Sequence, residues 1–214
     1  MAQLLSVARI VNFPIDSNCY LITQRDSPEC ILVDPALKDA SGFFQDIASK
    51  GLHLKYIILT HEHFDHISSV ELLRDLSGCQ VIATKDCSES ITNPKKNLSL
   101  FHDQIGFACS LSDIVVQENG YQIFWANCYL KFYLTPGHSE GSLCFNINDC
   151  LFTGDTLIQN TKIITKLPGG SLEKLKISLS FLFTHFDPGT MIYPGHGPAF
   201  HLSATKIQTL IGES

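Results

Sequence analysis

Apolar positions along the chain fall in short blocks whose spacing alternates between the period of a strand and that of a helix. Leu4–Val11 and Asn18–Thr23 read as strands, and Cys30–Val33 as a third that stops at Asp34-Pro35. Ala40–Lys50 carries Phe43, Phe44, Ile47 and Ala48 at helical spacing and stops at Gly51. Tyr56-Ile57-Ile58-Leu59 is apolar without interruption, the pattern of a strand buried on both faces. A helix is expected over Ser68–Leu76, closed by Gly78, and a strand over Gln80–Thr84. Residues 85–110 show no clear period, and Asn93-Pro94-Lys95-Lys96-Asn97 reads as an exposed loop. Strand patterns then dominate: Ile114–Val116, Tyr121–Trp125, Tyr129–Leu134, Ser142–Ile147 and Cys150–Thr153. After the turn Gly169-Gly170-Ser171 come a helical stretch over Leu172–Phe183, a strand at Met191–Tyr193 and a last helix over Ser203–Ile211. The alternation in two halves is compatible with two sheets packed face to face, with helices outside.

Composition narrows the class. The chain has 214 residues, 44% of them hydrophobic, which suits one large domain over residues 1–214. The apolar runs are too short to span a bilayer, so no membrane association is expected. Net charge is −6 and the arginines are Arg9, Arg25 and Arg74, without a basic patch, which argues against nucleic acid as partner. A small-molecule substrate is expected instead. Eight cysteines are scattered, none as Cys-x-x-Cys, and most sit in apolar runs such as Leu143-Cys144-Phe145. Reduced thiols, with no secretory pattern in the first residues, lead to an expectation of a cytoplasmic protein.

The chemistry concentrates at Thr60-His61-Glu62-His63-Phe64-Asp65-His66, directly after the buried strand. Imidazole and carboxylate are the ligands of zinc and similar divalent metals. Beyond a strand end, His61 and His63 can point to one side while Asp65 and His66 bend toward a second position, so one loop can serve two metals. Three further loops place one ligand-type residue beside glycine just past a strand: Thr135-Pro136-Gly137-His138, Thr153-Gly154-Asp155-Thr156 and Tyr193-Pro194-Gly195-His196-Gly197-Pro198. Ser139 and Ser142 lie near His138 but are not needed as nucleophiles. His53, His102, His185 and His201 have no ligand-type neighbours and read as surface or core residues. His102 is the exception if the 93–110 loop lies over the site.

The order Thr-His-x-His-x-Asp-His, Pro-Gly-His, Thr-Gly-Asp-Thr, Pro-Gly-His-Gly resembles the metallo-β-lactamase superfamily over nearly the whole chain, and within it single-domain glyoxalase II-like (hydroxyacylglutathione hydrolase-like) proteins. The resemblance implies an α/β fold, an αββα sandwich of two mixed sheets flanked by helices, with the site at one edge of the sheets. It implies two divalent metal ions per chain, zinc first, with iron or manganese as alternatives. His61, His63 and His138 would bind one, Asp65, His66 and His196 the other, and Asp155 would bridge both. Two cations sharing a water would supply hydroxide near neutrality, one would polarise a carbonyl, and Asp65 or Asp155 would orient the water. The expected activity is hydrolysis of a thioester, lactone or related ester.

The chain departs from that pattern in two places. The Gly-Arg-Thr-Asp that commonly follows the Gly-Asp-Thr motif is replaced by Lys162-Ile163-Ile164-Thr165-Lys166, and no counterpart is expected of the helical domain with which full-length glyoxalase II grips glutathione. Both put a dedicated glutathione thioesterase in doubt and throw specificity onto residues 93–110 and 157–168. A mononuclear iron persulfide dioxygenase, using one histidine of the first motif with His138 and Asp155, is the alternative. A β-lactamase, which generally lacks the aspartate seen at Asp155, and a phosphodiesterase are less favoured.

Overall fold

The structure, a computed structural model, describes residues 5–204 and Leu210. The first sheet contains β1 (Leu5–Val11), β2 (Asn18–Gln24), β3 (Glu29–Val33), β4 (His53–Ile58), β5 (Gln80–Thr84) and β6 (Ile114–Val116), side by side in chain order. β1, β2 and β3 pair antiparallel, and β3 to β6 parallel. The second sheet contains β7 (Gln122–Trp125), β8 (Cys128–Leu134), β9 (Leu143–Ile147), β10 (Cys150–Gly154), β11 (Met191–Pro194) and β12 (Phe200–His201), again in chain order. All its neighbours are antiparallel except β10 and β11. Two mixed sheets flanked by helices make the expected αββα sandwich.

The apolar pattern explains the layering. In β3, β4 and β5, alternate side chains reach different cores. Leu32, Ile57 and Val81 pack outward with Ile47 of α1 (Ala40–Ser49), while Ile31, Ile58 and Ile82 face the second sheet. A strand covered on both faces has no room for polar residues, which is why Tyr56–Leu59 is unbroken. β4 nonetheless begins earlier than that run, at His53, because parallel pairing with β3 extends to Glu29. The middle layer joins Tyr20 and Val33 to Phe132, Phe145, Ile147 and Phe152.

Outside the first sheet, α3 (Val70–Ser77) buries Val70 and Leu73, and a single turn of helix, α2 (Phe64–Ile67), precedes it. Outside the second sheet, α6 (Leu172–His185) buries Leu175, Leu179 and Leu182 and is capped by Ser171, whose hydroxyl accepts from the Lys174 amide. The stretch 85–110 is more ordered than its sequence suggests. It contains α4 (Lys85–Ser90) and α5 (Ser99–Asp103); in the expected loop between them Asn93, Lys95 and Lys96 are exposed, but Asn97 is buried. Of the helix expected over Ser203–Ile211, most lies outside the described residues, as does Leu4. Leu202–Ala204 form one 3-10 turn.

β3, β4, β8, β10 and β11 all end at one edge of the sandwich, and the two sheets are pinned together there. The Leu143 amide donates to Thr60 O at 2.8 Å and the Asn18 amide to Gly195 O at 2.7 Å. The Asn18 side-chain amide and Tyr20 hydroxyl both donate to Pro194 O, at 2.8 and 2.7 Å. Beneath this edge Phe152 lies flat between Phe145 and Tyr193, with centroids 4.6 and 4.9 Å away. Phe152→Ala leaves a hole in the middle layer, and a loss of about 3–5 kcal/mol is expected by chemical denaturation.

Candidate metal centre

All seven residues anticipated as ligands meet at that pinned edge. His61, His63 and His138 form one group, and Asp65, His66 and His196 another, in each of which the ligand-type atoms lie within 4.8 Å of one another. Asp155 stands between the groups. Its Oδ2 is 3.6 Å from His138 Nε2 and 3.5 Å from His196 Nε2, and its Oδ1 is 3.7 Å from His66 Nε2.

The surroundings fix which nitrogen faces inward. Thr60 Oγ1 donates its single proton to Asp34 Oδ2 at 2.6 Å, so the contact at 3.0 Å with His61 Nδ1 requires that nitrogen to be the donor. His66 Nδ1 donates to the same Asp34 oxygen at 3.1 Å. His138 Nδ1 donates to Ile164 O at 2.9 Å and His196 Nδ1 to Asp16 O at 3.1 Å. Four imidazoles thus present unprotonated Nε2 atoms when neutral. His63 is turned the other way, with Nδ1 3.0 Å from His138 Nε2. Two neutral nitrogens so oriented repel unless a proton or cation lies between them. The Nε2 atoms of His61 and His66 and Oδ1 of Asp155 are buried without any hydrogen-bond partner. Such atoms are costly unless a ligand satisfies them, and imidazole with carboxylate is the donor set of a divalent cation. The residues present fit metal.

Charge follows the same division. Burial and the neighbouring histidines hold His61 well below the usual imidazole value. Burial drives His63 down to about 3, so it too is neutral near pH 7. Burial also disfavours the His66 imidazolium, but Asp65, Asp155 and Asp34 together outweigh it and raise the group to about 10. His196 is raised for a related reason, burial being outweighed by Asp65 and Asp155. Asp65 is held below the ordinary carboxylate range because the facing His66 and His196 outweigh its desolvation.

Several supports are invisible to motif reading. Asp34 ends β3 with a left-handed φ of 51° and is 1% exposed, and its Oδ1 accepts the Thr60 amide at 2.7 Å. Both of its oxygens are engaged, so although Asp34 lies close to His61 and His66 it serves as their holder. Its only sequence signal is a carboxylate at the end of a parallel strand next to the motif strand. Ser17 Oγ donates to Asp65 O, and Asn12 Nδ2 donates to Ser17 Oγ at 2.8 Å and to Asp34 O at 3.0 Å. Glu62 is buried and points away from the ligands, its Oε2 accepting from Ser139 Oγ at 2.9 Å. That bond ties the first motif to the loop carrying His138 and turns Ser139 away from the centre. Gly195 admits no side chain, because a Cβ there would overlap Asp155 Oδ1 and crowd His66.

Of the other histidines, His185 packs among Tyr133, Phe181 and Phe186, His201 Nδ1 donates to Gly189 O, and His53 is exposed at the start of β4. His102 stacks on Phe64, within the first motif, at 4.6 Å. A cavity of about 410 Å³ opens over His138, Asp155 and His196, walled by Ile158, Ile163, Ile164 and Pro198. The eight cysteines are free. No helix among the described residues is long and apolar enough to cross a membrane.

The chain belongs to the metallo-β-lactamase superfamily, whose family model matches residues 13–196. It is 29% identical over 187 residues to the probable metallo-hydrolase YqgX of Bacillus subtilis, covering 86% of this chain and 87% of that one. It is 30% identical over 180 residues to the mitochondrial persulfide dioxygenase ETHE1 of Homo sapiens, covering 83% of this chain and 62% of that one. Among solved structures it superposes on the BLEG-1 B3 metallo-β-lactamase with a TM-score of 0.85 and 26% identity, over 93% of this chain and 95% of that one.

Two outcomes follow from the geometry. A cation taking His66 Nε2 displaces a proton, since that imidazole is held up to about 10. Metal uptake at pH 7 therefore releases protons and tightens as pH rises, which calorimetric titration of zinc into chelator-treated protein, in buffers of differing ionisation heat, will register. Asp34→Ala frees both His61 and His66 to rotate, and zinc affinity is expected to fall about 10–100-fold while the far-ultraviolet circular dichroism is kept.

Proposed function

We propose that this protein is a binuclear metal-dependent hydrolase acting on a thioester, lactone or related ester carbonyl, a glyoxalase II-like chemistry without a dedicated glutathione site. The observation that carries the reading is the pair of three-residue groups with Asp155 between them. A triad of two histidines and a carboxylate would leave the remaining convergent donors without a role. The name of the Bacillus relative, a probable metallo-hydrolase, agrees with it.

In this reading His61, His63 and His138 would hold one cation and Asp65, His66 and His196 the second, with Asp155 placed to serve both, zinc being the expected metal and iron or manganese the alternatives. When bound, the two cations supply hydroxide at neutral pH and an electrophile for the carbonyl oxygen. Asp65 remains ionised at neutral pH and orients the attacking water through a hydrogen bond. His138 and His196 are locked by the carbonyls of Ile164 and Asp16, so the ligands need little rearrangement on turnover. Ile158, Ile163 and Ile164 give the same side an apolar wall.

The likeness to the human persulfide dioxygenase supports a second reading, a mononuclear iron enzyme. Metal analysis of protein purified without chelator separates the two. Close to two equivalents of divalent metal are expected, and a single iron accompanied by oxygen consumption would replace the hydrolase reading. Asp155→Ala is expected to lower metal occupancy and cut turnover about 1,000-fold or more with the fold retained. The advantage of a lactoyl-glutathione thioester over a simple thioester or an acyl lactone is expected to stay below about 100-fold, about 2.7 kcal/mol of transition-state discrimination. A nitrocefin assay, expected to be weak, covers the β-lactamase activity named for the BLEG-1 neighbour.

A further inference from the structure

A second depression lies beside the first ligand motif, reaching Phe64. It is an open groove of about 450 Å³ whose walls include Ile15, Phe64, Leu98, Phe101, His102 and Leu167, without a charged residue. Phe101 is 70% exposed and Ile15 39%, so large apolar surface faces solvent here. Exposed apolar surface gathered in one groove marks a binding surface.

Three ties link this groove to the candidate metal centre. Phe64, its floor, lies between His63 and Asp65 in sequence and is covered by the His102 ring at an interplanar angle of 23°. Ile15 precedes Asp16, whose carbonyl holds His196. Leu167 belongs to the segment whose Ile164 carbonyl holds His138 and which also walls the first cavity. The outer wall is rigidly placed. The Phe64 amide donates to Asn97 O at 2.8 Å, and the fully buried Asn97 side chain donates to Ile91 O at 3.2 Å and Phe107 O at 2.8 Å and accepts the Ser99 amide at 2.9 Å. α5 is thereby anchored on the ligand motif itself.

A carbonyl held at the ligand cluster has two substituents, and among the described residues the cavity over His138 and the groove at Phe64 offer a place for each. They differ in character: the first mixes Ile158, Ile163, Ile164 and Pro198 with Gln159, Thr161 and Lys162, whereas the second has no charged side chain. We propose that the second groove is an acyl subsite, so that the substrate is an ester or thioester with an apolar acyl chain lying over Phe64 and Phe101, its more polar leaving group lying toward Lys162. This rests on the ester reading above and adds which arm of the substrate is apolar and where it lies.

The test separates the two claims by measuring binding as well as turnover. Paired probes carry the same leaving group and either an acetyl or an octanoyl chain, as thioesters for turnover and as non-hydrolysable ketones, with CH₂ in place of sulfur, for calorimetric binding. Wild-type protein is expected to prefer the octanoyl ketone about 10-fold or more. That preference is expected to collapse in Phe101→Ser and in Ile15→Ser, two exposed positions on different walls, and to persist in Phe124→Ser, a 60% exposed aromatic on β7. Absence of a chain-length preference in the wild type, or its survival in both groove variants, overturns the acyl subsite. If the ketones behave as expected while metal-loaded enzyme cleaves neither thioester, the groove stands and the ester reading falls. Turnover without chain-length dependence has the opposite meaning.

Discussion

The Asp34 carboxylate, buried where β3 ends, accepts from the Thr60 amide and hydroxyl and from His66 Nδ1, and through Thr60 it also fixes His61. A carboxylate buried this deeply is tolerable only when its lone pairs are satisfied. Here the groups that satisfy it belong to the ligand motif. Removing charge from water and orienting imidazoles become one event. Asp34 joins the end of β3, the end of β4 and α2, so the geometry of both ligand groups hangs on a residue that need touch no metal.

Around that point the two sheets close on one another through backbone bonds. Thr60 O accepts from Leu143 across the sandwich, and Gly195 O from Asn18. Neither half holds all seven candidate ligands, since His61 to His66 come from the first and His138, Asp155 and His196 from the second. The aromatic layer beneath, from Tyr20 through Phe152 to Tyr193, keeps the halves at fixed separation. The core and the site are in this sense one construction, with the apolar part setting the distance over which the polar part works.

Much of this was legible in the amino-acid order, for physical reasons. Strands buried on both faces leave unbroken apolar runs, and ligand-type side chains bunched directly after such runs seldom gather without a cation to bind. The centre of β4 and the metal-binding character of the motif after it could therefore be read directly, whereas the αββα sandwich and the division of the seven candidate ligands came from the resemblance to the superfamily. The stretch 85–110 could not. α5 is held by Asn97, Ser99 and Asp103 through side-chain bonds to backbone, and both its caps, Leu98 and Gln104, take left-handed φ values of 68° and 65°. Tertiary anchoring of that kind leaves no periodicity. Asp34 and Glu62 escape motif reading because each is a common residue type whose role arises only from what the fold places opposite it: Thr60 and His66 in one case, Ser139 in the other.

The bond from His138 Nδ1 to the Ile164 carbonyl has a bearing on how such a protein can diverge. The segment that shapes the cavity is the one whose peptide group sets the tautomer of a ligand-type histidine. Exchange of side chains at Ile163 or Ile164 alters the wall and leaves that carbonyl in place. An insertion or deletion in the same segment shifts the carbonyl, and with it the lone pair of His138. Selection for a new ligand is therefore channelled into point replacement here, while changes of length are left to loops that do not also steady the candidate site.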